Sequence, residues 1–150
     1  MSLLLVLFLQ VTATANQKQE VFKAARHFMP GITWQQDSVL IADFSCRGHR
    51  EQAILGTHHP DTASPYAIVA VFLDRLNKQP EFITDSVHVP ADAKLTLESL
   101  DYDPEDEIGS SIPGFKRSKV CIGLNVADDH TDSLHIYWNH YFRGFGFWRR

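Results

Sequence analysis

The spacing of apolar positions changes twice along this chain. Residues 3–9 form an unbroken apolar run, Leu-Leu-Leu-Val-Leu-Phe-Leu. From Gln17 to Met29, Val21, Ala24, Ala25 and Phe28 recur at helical spacing, and Pro30-Gly31 ends the pattern. That stretch predicts one amphipathic helix. Beyond it the chain reads as strands. Val39–Ala42, Ala53–Leu55 and Tyr66–Leu73 are continuous apolar runs, the last suited to a strand buried on both faces. Glu81–Val89 and Lys94–Leu100 alternate loosely. Val120, Ile122, Leu124 and Val126 stand at strict period two, as do Leu134, Ile136, Trp138, His140 and Phe142. Pro60, Pro65, Pro80, Pro90, Pro104 and Pro113 fall between the runs, where proline removes no ladder hydrogen bond. The prediction is a mainly β, α+β fold: about seven antiparallel strands with one N-terminal amphipathic helix, in a single domain over residues 16–150.

The leading apolar run ends at Ala13-Thr14-Ala15, a small-x-small site. Together these have the pattern of a secretory signal peptide, so residues 1–15 are expected to be removed on export. Seven apolar residues are too few to span a bilayer, which takes roughly 20. No Cys follows the run to accept a lipid, so no stable membrane insertion is expected after signal removal. The expected location is periplasmic or secreted. The chain holds two cysteines, Cys46 and Cys121, an even number suited to an oxidising compartment. Paired, they would close a 75-residue loop, worth roughly 4 kcal/mol in the chain-entropy picture.

Hydrophobic residues make up 44% and charged residues 21% of the 150, which suits a folded domain and not a disordered one. With 14 Lys and Arg against 18 Asp and Glu, and no basic stripe, nucleic acid is excluded as the expected partner. Signatures of catalysis are missing. There is no His-Glu-x-x-His and no Gly-x-Ser-x-Gly, and Phe115 separates Gly114 from Lys116 where a phosphate loop needs them adjacent. The acidic stretch Asp101–Glu107 lacks the turn glycine of a calcium loop, since Asp106 stands there, and reads as a solvated loop.

One cluster has metal-binding chemistry. Asp128, Asp129, His130, Asp132 and His135 combine carboxylates with imidazoles, ligands that suit zinc or manganese in a metal-dependent hydrolase. Asp-rich hairpin turns also arise because Asp bonds its own backbone. His135 and His140 are five apart, so on a regular strand they face opposite ways and cannot share a metal. His140 falls on the apolar face with Trp138. His135, Tyr137, Asn139 and Tyr141 fall on the other face, an aromatic and amide row of the kind that grips a peptide, a glycan or a protein.

Asp43-Phe44-Ser45-Cys46-Arg47-Gly48-His49-Arg50-Glu51, leading into Ala53-Ile54-Leu55, resembles the calcium loops of FG-GAP and VCBS repeats over about a dozen residues. The resemblance implies that Asp43, Ser45 and Glu51 would face an ion and that Gly48 would make the turn. Arg47 stands at a position where that family places an oxygen. A guanidinium there would occupy the ion's place and could pair with Asp43 and Glu51, giving a degenerate calcium module. A second resemblance covers most of the chain. Cys121-Ile122-Gly123-Leu124 and His135-Ile136-Tyr137-Trp138-Asn139-His140, with Ala42–Cys46 and Ala53–Thr57, are similar to small exported bacterial proteins of unknown function. It implies a bacterial envelope protein and no particular activity.

The expected function is therefore that of an exported, disulfide-stabilised binding protein. It would act as an inhibitor or accessory protein on an envelope protein or glycan, without a cofactor. The metal-dependent hydrolase and the calcium module are its rivals.

Overall fold

The computed structural model describes residues 12–85, 92–129 and 132–149. Residues 3–9 of the expected leader, and His130 of the acidic cluster, lie outside the described residues.

Helix α1 runs from Ala15 to Phe28. Thr14 and Gln17 form a reciprocal capping box: Gln17 N–H donates to Thr14 Oγ1 (3.3 Å) and Thr14 N–H to Gln17 Oε1 (2.9 Å). This satisfies donors that a helix start leaves without partners. The expected cleavage point after Ala15 falls just inside this first turn.

Among the described residues nine strands follow: β1 (Thr33–Trp34), β2 (Leu40–Ala42), β3 (Glu51–His58), β4 (Tyr66–Phe72), β5 (Glu81–Asp85), β6 (Lys94–Ser99), β7 (Ile122–Ala127), β8 (Leu134–Asn139) and β9 (Gly144–Arg149). All pairings are antiparallel. In the first sheet β1 and β2 both pair with β3, and the order continues through β4 to β5. The second is a meander, β6-β7-β8-β9.

The layers follow from side-chain alternation. Ala67, Val69 and Val71 of β4 point into a core shared with Leu95, Leu124, Val126, Leu134 and Ile136 of the second sheet. Ile68, Ala70 and Phe72 of the same strand point the other way, toward Val21 and Ala25 of α1. Tyr66–Phe72 is continuously apolar because both its faces are covered, as the sequence pattern predicted. On the far side of the second sheet, residues 100–121 fold over β8 and β9. Leu100, Cys121, Tyr137 and Trp148 are buried there, with Tyr102, Ile108, Ile112 and Phe115 packed against them.

The predicted mainly β fold with one main helix is what the structure shows. Two strands exceed the seven expected. β1 is too short to leave a periodic signal, and β9, with Gly144 and Gly146 among its first three residues, leaves only a weak one; the strand expected over Leu134–Phe142 ends at Asn139, where the turn begins. The acidic loop also contains a short helix, α2 (Pro104–Ile108). Asp103 caps it, Pro104 sits in its first turn, and Gly109 ends it in the left-handed conformation (φ 72°).

Candidate functional site

The sequence-predicted residues fall in three places. The first is the loop between β2 and β3. Glu51, fully buried, accepts backbone N–H groups from Phe44 (3.0 Å) and Ser45 (2.8 Å), and the Ser45 hydroxyl. Its carboxylate also pairs with Arg47 Nη2 at 3.0 Å. The Arg47 guanidinium donates further to Ser45 Oγ (2.8 Å) and the Leu73 carbonyl (2.9 Å), with Asp74 at 3.8 Å. A fixed positive charge thus sits among four protein oxygens. Asp43 does not join it. Its carboxylate instead receives the backbone N–H groups of Arg47 (2.9 Å) and Gly48 (2.8 Å), which pins the turn. Gly48 takes φ 76°, which a residue with a Cβ adopts only under strain.

This loop is tied to the second sheet. Cys46 and Cys121 form a disulfide with Cα atoms 4.9 Å apart, and Ile122 N–H donates to the Asp43 carbonyl at 3.0 Å.

The second place is the outer face of the second sheet. His135 Nδ1 lies 2.6 Å from Glu98 Oε1, with Asn125 Nδ2 at 3.3 Å, and the imidazole stacks on Trp148 (centroids 3.9 Å, planes 11° apart). Glu98 arrives from β6, a partner that sequence spacing could not reveal. The other Glu98 oxygen is buried without a hydrogen bond. Trp148 Nε1 donates to the Tyr102 hydroxyl (3.3 Å), and burial pushes that phenol up to about 12, with the Glu98 carboxylate adding to the shift. The His135 side chain thus meets Glu98 of β6, Asn125 of β7 and Trp148 of β9. Asp129 and Asp132 are exposed. Among the described residues no three His, Cys, Asp or Glu groups come together as a metal-holding set.

The third place corrects an expectation. His135, Tyr137, Asn139 and Tyr141 do not form one open row. Tyr137 is only 4% exposed: its ring lies across Gly146, where a Cβ would come within 2.8 Å of it, and edge-on to Phe115 at 5.3 Å. Asn139 is 3% exposed. The segment 100–121 covers both, with Phe115 packed on Tyr137 and Pro113 bonded by Asn139, because covering aromatic rings there removes apolar surface from water.

What Asn139 does is hold the turn between β8 and β9. Its carboxamide donates to the Pro113 carbonyl (2.8 Å) and accepts from the N–H groups of Tyr141 (2.9 Å) and Phe142 (3.3 Å). His140 N–H adds a bond to the Gly114 carbonyl at 2.8 Å, and Arg143 N–H one to the Asn139 carbonyl at 2.9 Å. Gly114, at φ 83°, approaches so closely that any Cβ there would overlap the Asn139 carboxamide. Five hydrogen bonds thus fix a four-residue turn whose two central side chains point outward. Tyr141 is 85% and Phe142 58% exposed. Arg143 closes the turn with a left-handed backbone (φ 56°). His140, the first residue of the turn, is held below the usual imidazole range by burial and by the nearby Lys116 charge.

Phe142, Gly114, Glu98 and Trp148 were missed from the sequence.

No protein-family profile, curated protein or solved structure matches this chain.

Proposed function

We propose that the chain is an exported, disulfide-stabilised binding protein that meets an envelope protein through the Tyr141–Phe142 turn, as an inhibitor or accessory subunit. The observation that carries this is the combination of rigidity and exposure. Large apolar side chains are normally exposed singly and by chance. Here two adjacent ones project from a turn fixed by five hydrogen bonds. A pinned turn loses little conformational entropy on binding, and aromatic anchors dominate interface energetics. The Cys46–Cys121 disulfide suits the oxidising compartment that residues 1–15 are read as targeting. No helix among the described residues is long and apolar enough to cross a membrane.

The test places a photo-cross-linking benzoylphenylalanine at position 141 in the protein expressed with its own leader. A discrete adduct in the envelope fraction, absent with the same probe at exposed Arg75, is the expected result. No adduct at 141 would remove this turn as the contact surface.

A further inference from the structure

We infer that Tyr141 and Phe142 seat in an apolar hollow, rimmed by carboxylates, on the surface of a protein partner. The inference rests on the binding role proposed for this turn and adds the chemistry of what it binds. Charge around the two rings is its basis. The whole chain carries a formal net charge of −4, yet cations flank the rings. Arg143 closes the turn itself and is exposed. Lys116, also exposed, follows two residues after Gly114, whose carbonyl bonds the turn, and it is near enough to act on His140.

Among the described residues neither cation has a carboxylate within ion-pair distance. Arg117 and Lys119, by contrast, are both engaged by Asp101 (2.6 and 3.9 Å). Glu81 brings one carboxylate to the turn, 3.8 Å from where a Cβ on Gly144 would stand, against the two cations, and so leaves an excess of one positive charge among these three groups. A partner that covers the rings must also desolvate or answer these cations, and carboxylates at the rim of its hollow do so.

A protein fits this patch better than an anionic membrane. Lys116 and Arg143 together raise affinity for an anionic lipid surface only by roughly 30-fold, and the remaining net negative charge opposes that approach. Aromatic side chains beside arginine are, however, the composition enriched at the centres of protein interfaces.

The disulfide-bonded chain would be panned against a random twelve-residue peptide library, with Tyr141→Ser/Phe142→Ser as the counter-selection. These two side chains are exposed, so the variant is expected to fold. Enriched peptides should combine Asp or Glu with aromatic or branched aliphatic residues. Their affinity should fall at least tenfold with Arg143→Glu or Lys116→Glu, and should return when the peptide carboxylates are exchanged for lysines. Enriched peptides lacking acidic residues, or binding indifferent to charge reversal, would overturn the inference. So would tip-dependent sedimentation with vesicles of phosphatidylcholine and phosphatidylglycerol at 3:1, which would assign the patch to lipid. Cross-linking at position 141 is blind to partner charge. An adduct there with charge-indifferent peptides sinks only this inference, whereas no adduct sinks the contact surface itself.

Discussion

Removing the Glu51 carboxylate should be among the costliest single changes in the first sheet. Glu51→Ala takes away the acceptor for two backbone N–H groups, those of Phe44 and Ser45, both in residues only 1% exposed. A stranded buried N–H costs about 1–3 kcal/mol. The substitution also leaves Arg47 without its closest carboxylate and the Ser45 hydroxyl without its acceptor. Breaking a buried pair by deleting one partner costs about 3–5 kcal/mol, but the Arg47 side chain is 40% exposed and can turn to water, so the lower part of that range applies. The expected loss is about 3–4 kcal/mol. Arg47→Ala should cost about 1–2 kcal/mol, because Glu51 keeps its backbone donors and the Ser45 hydroxyl.

Urea unfolding followed by tryptophan fluorescence, with the disulfide intact, measures both variants, and the double variant gives the coupling energy. A Glu51→Ala loss below about 1 kcal/mol would refute the reasoning, as would an Arg47→Ala loss equal to that of Glu51→Ala. Millimolar calcium should leave the wild-type midpoint unchanged, since the guanidinium fills the space among the oxygens. A clear rise would mean that an ion displaces it.

Other consequences can be checked directly. Replacing both cysteines with serine should lower stability by roughly 4 kcal/mol, as expected for opening a 75-residue loop, with far-UV circular dichroism retained at low temperature. His140 is held below its ordinary value, so the unfolded chain binds a proton that the native chain refuses. Its contribution to stability is present above the ordinary imidazole range and is lost as pH falls through it. The wild-type Tm should therefore drop more between pH 7.5 and pH 5 than that of His140→Gln; equal pH profiles would remove His140 as the cause. Gly114→Ala combines a positive φ with overlap on Asn139 and should cost about 2–3 kcal/mol while freeing the turn. Hydrogen exchange at the Tyr141 and Phe142 amides should then speed up well before the second sheet unfolds, and unchanged protection would mean that Asn139 does not hold the turn.

The sequence carried the fold class because burial leaves a local mark. Val21, Ala24, Ala25 and Phe28 repeat at helical spacing because one side of α1 covers a sheet. Tyr66–Phe72 is apolar throughout because β4 lies between two covered faces. The cysteines were legible for a similar reason: only two were present, so one pairing was available. The arginine in the β2–β3 loop was also readable, because Asp43, Arg47, Gly48 and Glu51 are close in sequence. Which carboxylate took the guanidinium was not, since Asp43 is drawn away by two backbone N–H groups.

The site residues depended on what lies over them. An alternating strand shows that His135, Tyr137 and Asn139 share a face, but not that residues 100–121 cover it. Nor does it show that Glu98, 37 positions earlier, reaches His135. Period-two alternation is a property of one strand, whereas exposure belongs to the layers packed on it. The same sequence pattern suits a binding face and a buried one. Only the tertiary structure separated Asn139, which is buried and fixes the turn, from Tyr141, which the turn presents to solvent.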